Sequence, residues 1–177
     1  MDDAAFAQIK EEYDNFYRSL LKRGRLPMWG TGKGFWNASI SDEIFEIFKG
    51  IGLANFKSFL DIGSGDGKVA MIAALFCRNA EGIEIDRLLH NKAVEIKSKL
   101  KINNVSFHNK DFFEHDFSGY DVLFLAPDAP LERGLETKLL KEMNGKLIHY
   151  GNHFHPSSMR KEKSFLVNGT LASLYSR

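Results

Sequence analysis

Cysteine is nearly absent from this sequence. This and other absences exclude several classes of protein. The 177 residues include one cysteine, Cys77, so no intramolecular disulfide can form. No apolar run approaches the ~18 residues that a membrane-spanning helix needs, and no membrane partner is expected. A formal net charge of +1 excludes coating of nucleic acid by bulk charge. The acidic, amphipathic start is unlike a signal peptide, and we expect a cytoplasmic protein.

The composition is that of a folded globular protein. Hydrophobic residues make up 44% of the chain and charged residues 27%. The length suits one domain with a short extension. We expect residues 51–177 to form the main domain, and residues 1–50 to supply N-terminal helices and a loop.

The N-terminal fifty residues show helical periodicity on both sides of a glycine-rich break. Apolar residues at three- and four-residue steps predict an amphipathic helix over 2–22, and Ser41 opens a second helix. Between them, 22–35 contains four glycines and a proline and predicts a long loop. We expect 24–37 to fold over a ligand as a cover.

From residue 57 onwards, strand and helix patterns alternate. The predicted strands are FLDIG, 80–86, 104–109, 120–126 and 145–150, and the predicted helices are 68–77, 87–101 and one near 131–143. Such alternation indicates right-handed βαβ units around a parallel sheet. The end of the chain differs, because 163–175 reads as two strands joined by Asn168-Gly169, a strong hairpin signal. We therefore predict an α/β, doubly wound, mostly parallel seven-stranded sheet with an antiparallel C-terminal hairpin.

The stretch FLDIGSGDG carries the first functional signal. A glycine-rich turn between a strand and a helix lets a ligand approach the backbone closely. The pattern is not the G-x-G-x-x-G of dinucleotide sites, and Asp61 and Asp66 would repel a pyrophosphate. A positively charged ligand suits Asp61, Gly63, Gly65 and Asp66 better. S-adenosylmethionine, with an ammonium and a sulfonium and no phosphate, has that charge.

Two further acids follow the next two predicted strands. Glu84 ends the second strand about twenty residues after the glycines, where an acid accepts hydrogen bonds from ribose hydroxyls. Asp111 and Phe112 follow the third strand, where they suit the amino group and ring of adenine. The set predicts a nucleoside-containing cofactor.

The motifs DIGSGDG, GIEID, NKDFFEHD and YDVLFLAPDAP, in this order, resemble those of the class I (seven-strand) S-adenosylmethionine-dependent methyltransferases. The resemblance covers 57–150, and the C-terminal hairpin matches the family's last two strands. It implies that Asp61, Gly63 and Gly65 line the methionine part of the cofactor, Glu84 the ribose, and Asp111 with Phe112 the adenine.

A second resemblance concerns the methyl acceptor. The end of the fourth strand, Leu125 with the following APDAP, lacks the Asn/Asp-Pro-Pro-aromatic motif of adenine N6-methyltransferases. The region is similar to the archaeal and mitochondrial protein-lysine methyltransferases, in which a preceding aromatic and Ser/Thr cap the cofactor. Trp36 and Ser39 fall at those positions, although the family's proline-rich entry is replaced here by GTGKGFWNAS.

The motifs are also consistent with two other functions. An RNA methyltransferase would use KRGR (22–25) and Lys33 on phosphates, and a non-catalytic domain would only bind S-adenosylmethionine. No catalytic residue is assigned, because methyl transfer from a sulfonium depends mainly on positioning and desolvation. His149, His153 and His155 have no Cys or acid at ligand spacing, so no metal site is predicted.

Overall fold

The computed structural model describes residues 3–131 and 134–177. The helices are α1 Asp3–Lys22, α2 Ser41–Ile51, α3 Lys68–Ala73, α4 Arg87–Leu100 and α5 Leu135–Glu142. The strands are β1 Met28–Gly30, β2 Phe35–Asn37, β3 Ser58–Ile62, β4 Asn79–Glu84, β5 Val105–Asn109, β6 Val122–Leu125, β7 Lys146–Tyr150, β8 Arg160–Val167 and β9 Thr170–Ser176.

Seven strands form the main sheet in the order β5-β4-β3-β6-β7-β9-β8. The first five in this order are parallel, and β9 pairs antiparallel with both β7 and β8. The turn between β8 and β9 places Asn168 and Gly169 at φ 50° and 88°, as a two-residue hairpin turn requires. The predicted fold class, a doubly wound sheet that ends in an antiparallel hairpin, is confirmed.

The sheet has apolar residues on both faces. One core cluster joins residues of α1, α2, α3 and α4 to the sheet, with Phe48, Phe59 and Phe124 in edge-to-face or tilted ring contacts. The second lies on the other face and includes Leu139 of α5 and Tyr175 of β9. Burial of each such large side chain stabilises the fold by about 1.5–3 kcal/mol.

Local signals explain where several elements begin and end. The Asp86 carboxylate accepts hydrogen bonds from the backbone N–H of Leu88 and Leu89, which caps the N-terminus of α4. Gly52 ends α2 in the left-handed conformation, at φ 75°.

Some predicted boundaries need correction. Residues 28–37, expected to be loop, form a two-stranded antiparallel hairpin, because Thr31 and Gly34 close a turn by three hydrogen bonds. The helix predicted over 68–77 ends at Ala73. Residue 2 of the first predicted helix and residues 132–133 of the last lie outside the described residues.

No helix within the described ranges is both long enough and apolar enough to cross a membrane.

Candidate functional site

The predicted site residues meet at the carboxyl edge of the parallel strands. Ile62, at the end of β3, is in register with Ile83 of β4 and with Leu125 of β6. Glu84, the last residue of β4, is in register with Asn109, the last of β5. The segments that follow these strands therefore emerge side by side, which is where open α/β sheets bind ligands.

The glycine loop after β3 needs its glycines for different reasons. Gly63 and Gly65 have φ of 73° and 54°, values that other residues adopt only with strain. A side chain at Gly63 would meet open space, so a ligand can approach the backbone there. At Gly67, a Cβ would lie 2.6 Å from the Cβ of Ala93, so this glycine allows close packing of the loop against α4.

The Glu84 carboxylate links the glycine loop to the end of β4. Its Oε2 accepts a hydrogen bond from the backbone N–H of Gly65 at 2.8 Å, and its Oε1 accepts one from that of Asp86 at 2.7 Å. The residue is only 8% exposed. Burial raises the pKa of Glu84, and these backbone donors oppose the increase.

Asp66 is held by the N-terminal helix α1. Its Oδ2 accepts a hydrogen bond from the Tyr17 hydroxyl at 2.6 Å, and its backbone carbonyl accepts one from the Tyr13 hydroxyl at 2.8 Å. The backbone N–H of Lys68 donates to Oδ1. Asp66 thus fastens α1 to the glycine loop, and its side-chain oxygens already have partners in the protein.

Asp61 is a buried acid that is only partly compensated, by a hydrogen bond with the backbone of Ala70. The side chain is 3% exposed, and its Oδ2 has no hydrogen-bond partner among the described residues. Burial raises the pKa of Asp61 well above its usual value, and the charges of Glu84 and Asp66 raise it further. A cation bound here would stabilise the ionised carboxylate. This edge of the sheet therefore favours a positively charged ligand.

The short hairpin of residues 28–37, which we call the cover hairpin, lies across the glycine loop. A Cβ at Gly65 would lie 2.4 Å from Cδ1 of Trp36, so the indole packs directly on the glycine backbone. Trp29 packs on Trp36 with ring centroids 4.3 Å apart. Trp36 is consequently buried, at 8% exposure.

Two polar contacts hold the cover hairpin to loops after other strands. The backbone N–H of Phe35 donates to Oδ2 of Asp128, in the segment after β6. The Lys33 ammonium lies 3.5 Å from Oδ2 of Asp111, in the segment after β5. The cover hairpin thus spans the ends of β3, β5 and β6.

The remaining predicted residues make contacts of several kinds within the protein. Asp111 caps a short 3₁₀ turn by accepting from the backbone N–H of Phe113, and Phe112 is half-buried at the start of that turn. The backbone carbonyl of Ser39 accepts a hydrogen bond from the Lys68 ammonium. Leu125 is 4% exposed and packs in the second core cluster, so its side chain belongs to the core.

Sequence reasoning missed the residues that join the site to its surroundings. Tyr13 and Tyr17 lie within the first predicted helix, where periodicity gave them no functional role, yet their hydroxyls donate to Asp66. Lys68 lies outside the motifs, and Asp128 is part of the YDVLFLAPDAP motif but had no role of its own assigned. Their partners lie 29 to 93 residues away along the chain, so no local pattern could reveal these contacts.

The three histidines near the end of β7 lie in different environments. His149 is fully buried, with its ring 4.4 Å from that of His155, while His153 is exposed. Across residues 3–131 and 134–177, no group of three or more His, Cys, Asp or Glu side chains is arranged to hold a metal ion.

Comparison with known proteins agrees with this geometry. A family model described as a methyltransferase domain matches residues 55–154, which is more than half of the chain. A search among curated proteins finds no match to the sequence.

Three similar solved structures are methyltransferases. An RNA methyltransferase from Salinibacter ruber, in complex with S-adenosyl-L-homocysteine, is 22% identical with a TM-score of 0.67, covering 78% of this chain and 92% of that one. A tRNA (uracil-54, C5)-methyltransferase from Pyrococcus abyssi, in complex with the same compound, is 15% identical with a TM-score of 0.67, covering 80% and 40%. A SAM-dependent methyltransferase from Aquifex aeolicus is 15% identical with a TM-score of 0.60, covering 75% and 88%.

At these sequence identities the structural similarity shows the fold. The match to the family model shows the methyltransferase activity. The chain belongs to the methyltransferase domain family and is a class I, S-adenosylmethionine-dependent methyltransferase.

Proposed function

We propose that this enzyme methylates the side-chain amine of a lysine in a protein acceptor. The observation that carries the proposal is the row of acidic side chains at the carboxyl edge, where Asp61, Glu84, Asp111 and Asp128 lie along the ends of neighbouring strands. Carboxylates attract an ammonium group and repel the phosphates of RNA.

Two lysines at this edge support the same interpretation. Lys33 is already paired with Asp111, and Lys68 donates to the carbonyl of Ser39 while lying over the ring of Tyr17. Burial lowers the pKa of Lys68, so it is a poor anchor for a phosphate group.

For the cofactor we propose the placement that the family resemblance implies. Asp61, Gly63 and Gly65 would face the methionine part, where Oδ2 of the buried Asp61 carboxylate has no partner among the described residues and the loop is open at Gly63. Glu84 would accept from the ribose hydroxyls, which its remaining lone pairs allow. S-adenosylmethionine supplies the methyl group and its sulfonium leaving group.

The other predicted residues have supporting roles in this proposal. Asp111 with Phe112 would bind the adenine once the Lys33 pair opens. Trp36 and Ser39 would cover the cofactor, Asp66 would act through its charge, and Leu125 through its backbone. Residues 1–50 then form the N-terminal helices and the covering loop, and 51–177 the methyltransferase domain.

A lysine acceptor must be neutral to attack, and free lysine has a pKa of about 10.4. An aromatic channel that excludes water would lower this pKa. We propose Trp29, Phe35, Tyr150 and Phe154 as its walls. Phe35 and Phe154 are exposed, and the Tyr150 hydroxyl donates to the buried Glu43 carboxylate at 2.6 Å.

Labelling of a cell lysate tests the acceptor. The enzyme is incubated with lysate and methyl-labelled S-adenosylmethionine, and the sample is divided between protease and ribonuclease. We expect protease to release the label and acid hydrolysis to yield methyl-lysine. Label that resists protease and disappears with ribonuclease would replace lysine with RNA as the acceptor. A parallel sample with Asp61→Ala enzyme controls for methyltransferases of the lysate.

A further inference from the structure

A second polar site lies at the opposite edge of the sheet. The segment between β5 and β6 contains one short 3₁₀ turn, Phe112–Glu114, within its described course and no α-helix. One face of β4 and β5 is therefore left partly open, with Glu81 and His108 half-buried and Ser106 exposed. This face continues into a cavity of about 520 Å³ at the amino ends of the strands.

Four side chains form a hydrogen-bonded network at this cavity. Oε2 of Glu81 lies 2.6 Å from Nε2 of His108 and accepts a hydrogen bond from the Tyr120 hydroxyl at 3.0 Å. Nε2 of His115 lies 2.7 Å from the same hydroxyl oxygen. Glu81, His115 and Tyr120 line the cavity.

The network leaves hydrogen-bond acceptors unused. The Tyr120 hydroxyl has one hydrogen, which it donates to Glu81, so Nε2 of His115 donates to Tyr120. Nδ1 of His115 is then an acceptor, and it is buried with no partner among the described residues. The Asn104 amide donates to two backbone carbonyls, which leaves its side-chain oxygen as an acceptor.

The charge of the lining has one sign. It includes the carboxylates of Glu81 and Asp116, and no lysine or arginine of the described chain lines it, although Lys110 lies near enough to lower the pKa of His115. Two hydrogen bonds from Ser118 lower the pKa of Asp116 and keep this acid ionised. A ligand rich in donors and positively charged fits such a lining.

We propose that this cavity, lined by Glu81, His115, Asp116 and Tyr120, binds the primary ammonium group of a small organic amine. The ammonium would donate to Glu81, and the rings of Tyr120 and His115 would form an adjacent wall. The volume suits a molecule of this class, because small-molecule sites occupy about 300–1,000 Å³. The site is separate from the cofactor edge, since Asn79, which lines the cavity, and Glu84 are the first and last residues of β4.

Titration of the full chain with 1,4-diaminobutane tests the proposal. We expect saturable binding by calorimetry, with shifts of the His108 and His115 ring signals in NMR spectra. Glycerol, which is neutral, should produce neither. The tripeptide Gly-Lys-Gly, blocked at both ends, distinguishes a free amine from a lysine side chain of a protein, because only the former is expected to bind tightly.

Variants locate the site. Glu81→Gln should weaken diamine binding by about tenfold or more, since a charged acceptor is lost. Asp116→Asn should weaken it several-fold, and because Asp116 is exposed this variant keeps the test valid if Glu81→Gln misfolds. Glu95→Gln, an exposed acid of α4 paired with Lys92, should bind like the wild type. Equal binding of diamine and glycerol, or unchanged diamine binding in both cavity variants, would overturn the proposal.

Discussion

The indole of Trp36 occupies the space that a side chain at Gly65 would need. The hypothetical Cβ of Gly65 lies 2.4 Å from Cδ1 and 2.5 Å from Nε1 of Trp36. The contact joins the cover hairpin to the glycine loop, two segments that are 29 residues apart in the chain. Through this contact the cover hairpin and the glycine loop pack as one structural unit.

Substitution of Gly65 should therefore disturb both the glycine loop and the cover hairpin. We expect Gly65→Ala to displace Trp36 and to reduce stability by at least about 1–2 kcal/mol, because φ is 54° at this position. Affinity for S-adenosylmethionine should fall with it. Thermal unfolding and calorimetry measure the two effects. Gly32→Ala, in the same glycine-rich region but with open space around the added methyl group, should change neither.

Loss of the Glu84 carboxylate should weaken cofactor binding. We expect Glu84→Ala to reduce S-adenosylmethionine affinity by about 1–3 kcal/mol, since the ribose hydroxyls lose a charged acceptor. Wild-type affinity in the micromolar range, about −8 kcal/mol, makes this loss measurable by calorimetry. Glu95→Ala serves as the control. Binding of NADH in place of S-adenosylmethionine would contradict our interpretation of the glycine loop.

The cover hairpin should respond to the cofactor. Trp29 and Trp36 are the only two tryptophans of the chain, and both belong to this hairpin. We expect tryptophan fluorescence to change and proteolysis within 24–37 to slow when S-adenosylmethionine is added. Asp128→Ala, which removes the acceptor for the Phe35 N–H, should increase proteolysis without cofactor. An unchanged spectrum together with unchanged proteolysis would count against a covering role.

Burial of Asp61 should lower the free energy of unfolding of the enzyme without cofactor. Its pKa is raised in the folded state, so between the usual carboxyl pKa and that raised value the folded protein holds more protons than the unfolded chain. The free energy of unfolding therefore falls as pH rises through this window. We expect Asp61→Asn to raise the melting temperature near pH 7 and to weaken cofactor binding. A variant that is less stable than the wild type at pH 7 would disprove this account.

The buried His149 should make the fold sensitive to acid. Burial lowers its pKa to about 4, with a smaller effect from the charge of His155. Between about pH 6.5 and 4 the unfolded chain binds the extra proton, so stability is lost as pH falls through this range, by up to about 3 kcal/mol. Urea unfolding at several pH values should show a shallower decline for His149→Leu. The exposed His153 provides the matched control, His153→Leu.

The sequence by itself determined the order of elements and the residues of the glycine loop. Period-two and period-3.6 patterns, the Asn-Gly turn and the Asp86 cap are local signals, since each acts within a few neighbouring residues. The positions of Glu84 and Asp111 at strand ends follow from the same local patterns. These features predicted the parallel sheet, the C-terminal hairpin and the edge at which the site lies.

Only the tertiary structure decided how the cover hairpin lies on the carboxyl edge of the sheet and which groups pair with the charged side chains there. The packing of Trp36 on Gly65, the hydrogen bond from Tyr17 to Asp66 and that from Phe35 to Asp128 join segments 29 to 93 residues apart. The burial of Asp61 likewise depends on every element packed around it. Such contacts arise from the mutual packing of helices, strands and loops, and no pattern of neighbouring residues records them.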